Sequence, residues 1–420
     1  MKYNAFFLPI WKIFFLGMVI ILSSLCTACS DDEDKIEEPD KKEEPEEIEN
    51  SQTLLMYMPW SNNLTGFFKI NIADMEDAIA DGVLENERVL VYLATSAKQA
   101  SLFELVYNAA DGTCERKMVK EYEYEEPVYT TTEGIASILN DMKTYAPATR
   151  YSMTIGGHGL GWVPVQETRV LLPKASTTPS SSPIYHWEAK GPHMTRYFGG
   201  TNSTYQTNVT TLAEAIEKAG IIMEYILFDV CYMSTIEVAY DLRHVTRHLI
   251  ASTSEVMAYG MPYKNMAQYL LGDIDYEGIS QAFYNYYINY SLPCGTIATT
   301  ITAELDSLAT LVREINTHHK WDASLYKTLQ HFDGYTPHIF LDYGDYVSKL
   351  CTDSLLLNRF NTQLECVVPS ATRAHTPDFY SALNMIRTPI RTFCGLATSD
   401  PSFHQWATTK TETNWYKATH

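Results

Sequence analysis

The chain has 420 residues, of which 51 are acidic and 31 basic, for a net charge of −20. Its 45% hydrophobic content is that of a folded protein. The charge excludes a typical nucleic-acid reader, which needs clustered Lys and Arg to meet phosphates, and no basic stripe interleaved with aromatic residues is present.

Residues 1–29 read as a targeting segment. Lys2 and Lys12 flank an n-region, Ile13 to Leu22 is an apolar stretch too short for a membrane span, and Cys26-Thr-Ala-Cys29 follows. The small residues before Cys29 resemble a bacterial lipobox, which implies acylation of Cys29, although Cys26 stands where leucine is usual. A redox role for Cys26-x-x-Cys29 is disfavoured by its place inside a signal peptide. Ser30 to Asn50 holds twelve acids and three lysines and almost no apolar residue, so residues 30–52 read as a disordered tether. An acidic run directly after a lipidated cysteine resembles the export signal of surface lipoproteins in the Bacteroides group; a solvated spacer without an address is the alternative. Either reading places the protein outside the cytoplasm, on the outer membrane through a lipid anchor. The tether's −9 and the signal lysines' +2 leave −13 of the −20 on the remainder, a charge that attracts basic peptides.

From Thr53 the composition is globular to the end, without internal repeat or second linker. Leu54–Met58 and Val89–Ala94 are apolar strands, with a helical pattern between them at Ile70, Ala73, Met75 and Ile79. Leu102–Asn108 and Glu115–Lys120 flank Asp111-Gly112 and read as a hairpin. Thr132–Lys143 is a helix with Ile135, Ile138, Leu139 and Met142 on one face, leading to the strand before His158. Strand and helix alternate, which predicts a mainly parallel sheet covered on both faces.

Two segments share one grammar. In Tyr151-Ser-Met-Thr-Ile-Gly-Gly-His158-Gly-Leu-Gly-Trp162 a short strand runs into glycines that bracket a histidine. In Tyr225-Ile-Leu-Phe-Asp-Val-Cys231-Tyr-Met-Ser-Thr-Ile-Glu237 a buried strand ends in an acid and a thiol, and Ser234-x-x-Glu237 reads as a capping box for the next helix. Such switches lie at the carboxyl edge of an open α/β sheet, and a helix N-terminus there lowers a thiol's pKa. A histidine and a cysteine so placed suit a base and a nucleophile. The bland readings are an inert buried thiol and a structural histidine. A phosphate loop is excluded by the register of the glycines, and a serine hydrolase by the want of a G-x-S-x-G elbow.

Between these segments Val163 to Gln206 is rich in Pro, Ser and Thr and longer than most ordered loops. Thr211-x-x-Glu214 reads as the cap of a helix leading to the cysteine strand. Leu249–Ser252 and Thr296–Ile301 are further strands, followed by a helix near Ser307–Asn316; beyond residue 317 no motif assigns chemistry.

His158-Gly159 after one strand and Asp229-x-Cys231 after another resemble the clostripain family of cysteine peptidases, relatives of caspases, gingipains and legumains. Ile250-Ala-Ser-Thr-Ser-Glu-Val256, Tyr259-Gly-Met-Pro-Tyr263 and Thr413-Asn-Trp-Tyr-Lys-Ala418 extend the resemblance, and Val230 departs from it where alanine is common. The resemblance implies a caspase-like αβα sandwich over residues 53–316 with a C-terminal accessory region at 317–420. It also implies a His158–Cys231 dyad, with the N–H groups of Gly159 and Cys231 as oxyanion donors. Asp229 lies two residues before Cys231 and so starts on the same face of an extended strand. The family implicates this acid in the pocket for an Arg or Lys of the substrate; a structural carboxylate and an orienting partner for His158 are the alternatives. Glu255 is a second candidate for substrate binding.

Family members resemble one another in being cut between base and nucleophile. In the 163–206 segment Lys174 is the expected processing site, with Arg169, Lys190 and Arg196 as rivals, against a loop that is never cut. The expected function is a monomeric surface cysteine endopeptidase; a surface lipoprotein that binds peptides or host proteins without cutting is the alternative. Cys114, Cys294, Cys351, Cys366 and Cys394 show no metal-ligand spacing, and their odd number leaves at least one more unpaired thiol if Cys231 is free. His318-His319 has no partner at zinc-ligand spacing, so no metal or other cofactor is expected to be required. Calcium dependence, known in some relatives, stays open without an EF-hand loop.

Overall fold

The computed structural model describes residues 50–165 and 198–420. The expectations for Cys29, tether residues 30–49, Lys174, Arg169, Lys190 and Arg196 therefore lie outside the described residues, while the tether's expected end at residue 52 is corrected: Gln52 is buried and opens the first strand. No described helix is long and apolar enough to cross a membrane.

Along the chain the strands are β1 (Gln52–Met58), β2 (Glu87–Ala94), β3 (Gln99–Asn108), β4 (Thr113–Glu123) and β5 (Arg150–Gly156). After the gap come β6 (Phe198–Gly199), β7 (Gln206–Thr207), β8 (Met223–Asp229), β9 (Thr246–Ala251) and β10 (Thr296–Ile301). The C-terminal part adds β11 (Leu341–Asp342), β12 (Arg373–His375), β13 (Asp378–Ser381), β14 (Ile386–Pro389) and β15 (Ala397–Thr398). Nine of them form one sheet in the order β12-β10-β9-β8-β5-β1-β2-β3-β4. Its five inner strands, β9, β8, β5, β1 and β2, pair in parallel; the strands added at either side are antiparallel.

Parallel strands need crossover connections, and helices Thr65–Ala80, Thr132–Tyr145, Val209–Lys218 and Ile236–Leu242 supply them. Helices on both faces leave no solvated side, so every residue of β1 is buried and the core continues through β2, β5 and β8. This is the caspase-like sandwich that the resemblance implied.

Local details depart from expectation. In Thr65–Ala80 the buried stripe is Phe68, Ile72, Met75 and Ile79, whereas Ile70 is 43% exposed and Ala73 faces outward. Phe68 opens a better 3.6-residue row than Ile70 does. Helix Ile236–Leu242 is capped by Thr235, whose Oγ1 accepts from the Val238 N–H at 3.3 Å, and not by Ser234. Ser234 stays outside the helix because its N–H donates to the Ser252 carbonyl and its hydroxyl to the Gly395 carbonyl, at 2.9 and 2.7 Å. Thr211 likewise lies inside Val209–Lys218, whose N-cap is Asn208, and Glu214 accepts from Thr132.

The C-terminal residues pack on the same unit, and β12 pairs with β10 to complete one side of the central sheet. All six described cysteines are free thiols.

Candidate active site

β5 and β8 are neighbours in the sheet, and Gly156 pairs with Asp229. His158 and Cys231 each stand two residues beyond that pair, so parallel register delivers both to the carboxyl edge of the sheet. Gly157, Asp229 and Cys231 line one cleft with Leu64, Phe68 and Asn71 on one wall and Val256, Met257 and Gly260 on the other. The cleft is narrow, about 20 Å³, room for about one water molecule.

His158 is held through its backbone. Its N–H donates to the Gly199 carbonyl at 2.9 Å and its carbonyl accepts from the Gly199 N–H at 3.1 Å. Gly157 must be glycine for this approach, since a Cβ there would lie 2.7 Å from the Gly199 nitrogen. The ring's Nε2 lies 2.7 Å from Oδ1 of Asn63, in the loop after β1. An amide oxygen accepts, so in the neutral ring the proton sits on Nε2 and Nδ1 is the basic nitrogen.

Cys231 is 3% exposed. Its Sγ accepts from the Val256 N–H at 3.3 Å and its S–H points to the Val256 carbonyl at 3.7 Å. Burial, with the Glu255 and Asp229 carboxylates nearby, pushes the thiol well above its ordinary pKa. The expected lowering by a helix N-terminus is overturned here, because the helix begins only at Ile236. Tyr232, which follows the thiol, takes φ +61°, a left-handed conformation uncommon for a side chain of this size. Its ring stacks on Phe340 at 4.6 Å.

Asp229 is buried beside the thiol. Burial pushes its carboxyl up to about 7, against the opposing hydrogen bonds of the Met261 N–H, at 3.1 Å, and the Tyr263 hydroxyl. Gly260 closes over it at φ +82°, and a Cβ there would stand 2.4 Å from the Asp229 carboxylate. Gly260→Ala is expected to destabilise the protein by about 1–3 kcal/mol through overpacking, with about 1–2 kcal/mol more for the left-handed backbone, read as a lower denaturation midpoint in guanidinium.

Glu255 does not line this cleft. Its Oε1 accepts from the hydroxyls of Tyr232 at 2.7 Å and Ser381 at 2.6 Å, and its Oε2 from the Ala382 N–H at 2.9 Å. It ties the segment after β9 to the β13–β14 hairpin. The N–H groups of Gly159 and Cys231 stand at the two strand ends, and neither has a backbone acceptor among the described residues.

Three neighbours of the site were not singled out from the sequence. Asn63 and Asn71 follow β1, and a loop beyond a strand's carboxyl end was the available signal for Asn63. Val256 acts through its backbone, which leaves no signal in residue type. Among the described residues, no group of three or more His, Cys, Asp or Glu side chains is arranged to hold a metal ion.

Comparison with known proteins bears on this arrangement. The sequence model of the clostripain family matches residues 190–349. The X-ray structure of a secreted C11 cysteine protease from Bacteroides thetaiotaomicron, "iotapain", is 50% identical over 89% of this chain and all of its own, with a TM-score of 0.80. The chain belongs to the clostripain family of cysteine peptidases. A clostripain from the same organism, in complex with the peptide inhibitor BTN-VLTK-AOMK, is 57% identical over 53% of this chain and 99% of its own, with a TM-score of 0.52. An inactive zymogen C11 protease from Parabacteroides distasonis is 26% identical over 88% of this chain and 98% of its own, with a TM-score of 0.72. No curated protein sequence matches this clostripain-family chain.

Proposed function

We propose that this clostripain-family enzyme is an endopeptidase that cuts after Lys or Arg, with Cys231 as nucleophile, His158 as base and Asp229 as the partner of the substrate cation. The observation that carries this reading is the buried Asp229 carboxylate in the same cleft as the Cys231 thiol, with no Lys or Arg among the described groups that set its pKa. A buried carboxylate without a cation is costly, and a lysine side chain of the substrate supplies one. The peptide inhibitor bound by the 57% identical clostripain, VLTK, ends in lysine.

In this reaction Nδ1 of His158 takes the thiol proton and Sγ attacks the carbonyl carbon. The Gly159 and Cys231 N–H groups receive the oxyanion, the imidazolium protonates the leaving amine, and a water deprotonated by His158 releases the acyl group. No cofactor takes part in these steps.

A cleft with room for about one water is too small for a lysine side chain, which supports a latent form that opens on maturation. Self-cleavage in the 163–206 segment, Lys174 first, is the event we assign to that maturation; a 26% identical relative was described as an inactive zymogen. The lipobox-like Cys29 and acidic tether support an enzyme anchored outside the cytoplasm, and the 50% identical relative was described as secreted.

The test is hydrolysis of paired fluorogenic peptides, one ending in Arg and one in Asp, by the purified protein with its intact mass recorded. Turnover of the Arg peptide alone, with mass loss mapping to residues 163–206, is the expected result. Preference for the Asp peptide removes the role given to Asp229. No turnover of either, even after trypsin cuts that segment and calcium is added, favours a binding protein.

A further inference from the structure

The strands place His158 and Cys231 at one edge, but neither residue is in a strand, so something else must fix the two loops relative to each other. The loops approach closely: a Cβ on Gly161 would lie 2.8 Å from the Tyr232 carbonyl oxygen. Both loops touch a strip of five residues near the C-terminus, Gly395 to Ser399. On the cysteine side, the Ser234 hydroxyl donates to the Gly395 carbonyl at 2.7 Å. The Ala397 N–H donates to the Ser234 carbonyl at 2.8 Å, in a parallel bridge between Thr235 and Ala397. On the histidine side, the Trp162 indole N–H donates to the Ser399 hydroxyl at 3.0 Å, four residues beyond His158.

A buried ion pair locks the strip. Glu237 is 0% and Lys410 7% exposed, and Lys410 Nζ lies 3.1 Å from Glu237 Oε1. The same ammonium donates to the Thr398 hydroxyl at 2.8 Å and the Ser399 carbonyl at 2.5 Å, while the Thr398 hydroxyl donates to Glu237 at 2.8 Å. Glu237 is in the first turn of the helix after the nucleophile, so one lysine joins that helix to the strip that holds both loops.

We propose that residues 395–399, locked by Lys410 on Glu237, are a positioning element of the active site that sets the placement of His158 against Cys231. The sequence signal for it was weak because its contacts are made by backbone and by residues some 160 positions away from Ser234 and Glu237. A displacement of about 1 Å between reacting groups costs on the order of 100-fold in rate, so the strip acts on catalysis without touching substrate. Lys410 and Ser399 are positioning residues, and the inference rests on reading His158 and Cys231 as the reacting pair.

The test compares Lys410→Met, the double variant Glu237→Gln/Lys410→Met, and Ser399→Ala in the otherwise complete protein, with folded protein established by circular dichroism. Lys410→Met strands a buried carboxylate; the double variant removes both charges and keeps the shape. The expected result for Lys410→Met is a kcat for the Lys peptide lowered about 10- to 100-fold with KM within about twofold, and recovery of most of that loss in the double variant. A wild-type kcat in folded Lys410→Met, with only its melting temperature lowered, overturns the proposal. Should Lys410→Met not fold, Ser399→Ala decides: a lowered kcat at unchanged KM supports the strip's role, and an unchanged kcat removes it. Turnover that survives Cys231→Ala would instead remove the underlying reading of the reacting pair.

Discussion

Cys231→Ala is expected to lower turnover of an Arg- or Lys-terminated peptide by on the order of 10⁵- to 10⁶-fold, the scale seen when a protease loses its nucleophile. Sγ is the only protein atom in the proposed sequence that forms a bond to substrate carbon, and no other described group in the cleft replaces it: Asp229 and Asn71 line the wall, and Val256 offers only backbone. The residual rate comes from binding and the oxyanion donors. Any cleavage within residues 163–206 that the enzyme performs on itself should disappear in the same variant, leaving one species by intact mass. An internal cut that persists would come from another protease, and turnover retained within tenfold would end the assignment of Cys231.

Asp229→Asn is expected to act on substrate choice. Loss of the carboxylate from a desolvated charge pair costs about 2–5 kcal/mol, roughly 30- to 5,000-fold in kcat/KM for a Lys peptide, and far less for an uncharged one. The pH dependence carries a sign that checks the cause. The Asp229 carboxyl, pushed up to about 7 by burial, takes a proton as the pH falls through 7, and only its ionised form attracts the substrate cation. Opening the cleft to admit the substrate lessens that burial and lowers the carboxyl's pKa, so wild-type kcat/KM for the Lys peptide should fall only as the pH drops well below 7, and the ratio of wild type to Asp229→Asn should shrink with it. Stability moves the other way. A carboxyl whose folded pKa is raised binds more protons in the native state between its model value of 3.8 and about 7, so stability is lost as pH rises through that window. Asp229→Asn lacks that loss, and melting temperatures at pH 5 and 8 should differ less in the variant than in the wild type.

The parts of the molecule written in local pattern were legible from residues alone. Apolar runs marked β1, β2 and β8, the Asp111-Gly112 turn marked the β3–β4 hairpin, and the glycines around residue 158 marked a strand end. What stayed hidden depends on partners distant in sequence. Ser234 has the residue type and spacing of an N-cap, yet Ser252 and Gly395 take its hydrogen bonds and Thr235 caps instead. β12 is three half-buried residues at one side of the sheet, too short for a periodic signal. The clamp of Tyr232, Ser381 and Ala382 on Glu255 joins segments over 120 residues apart, and no single window of sequence contains both.

The capped thiol also governs how the protein ages. Oxidants attack the thiolate, and they attack it in proportion to its exposure. Cys231, held protonated by burial and covered by Val256, offers peroxide neither the anion nor a path. In oxidising surroundings a thiol so covered is spared the sulfenic and sulfinic acids that retire an exposed cysteine.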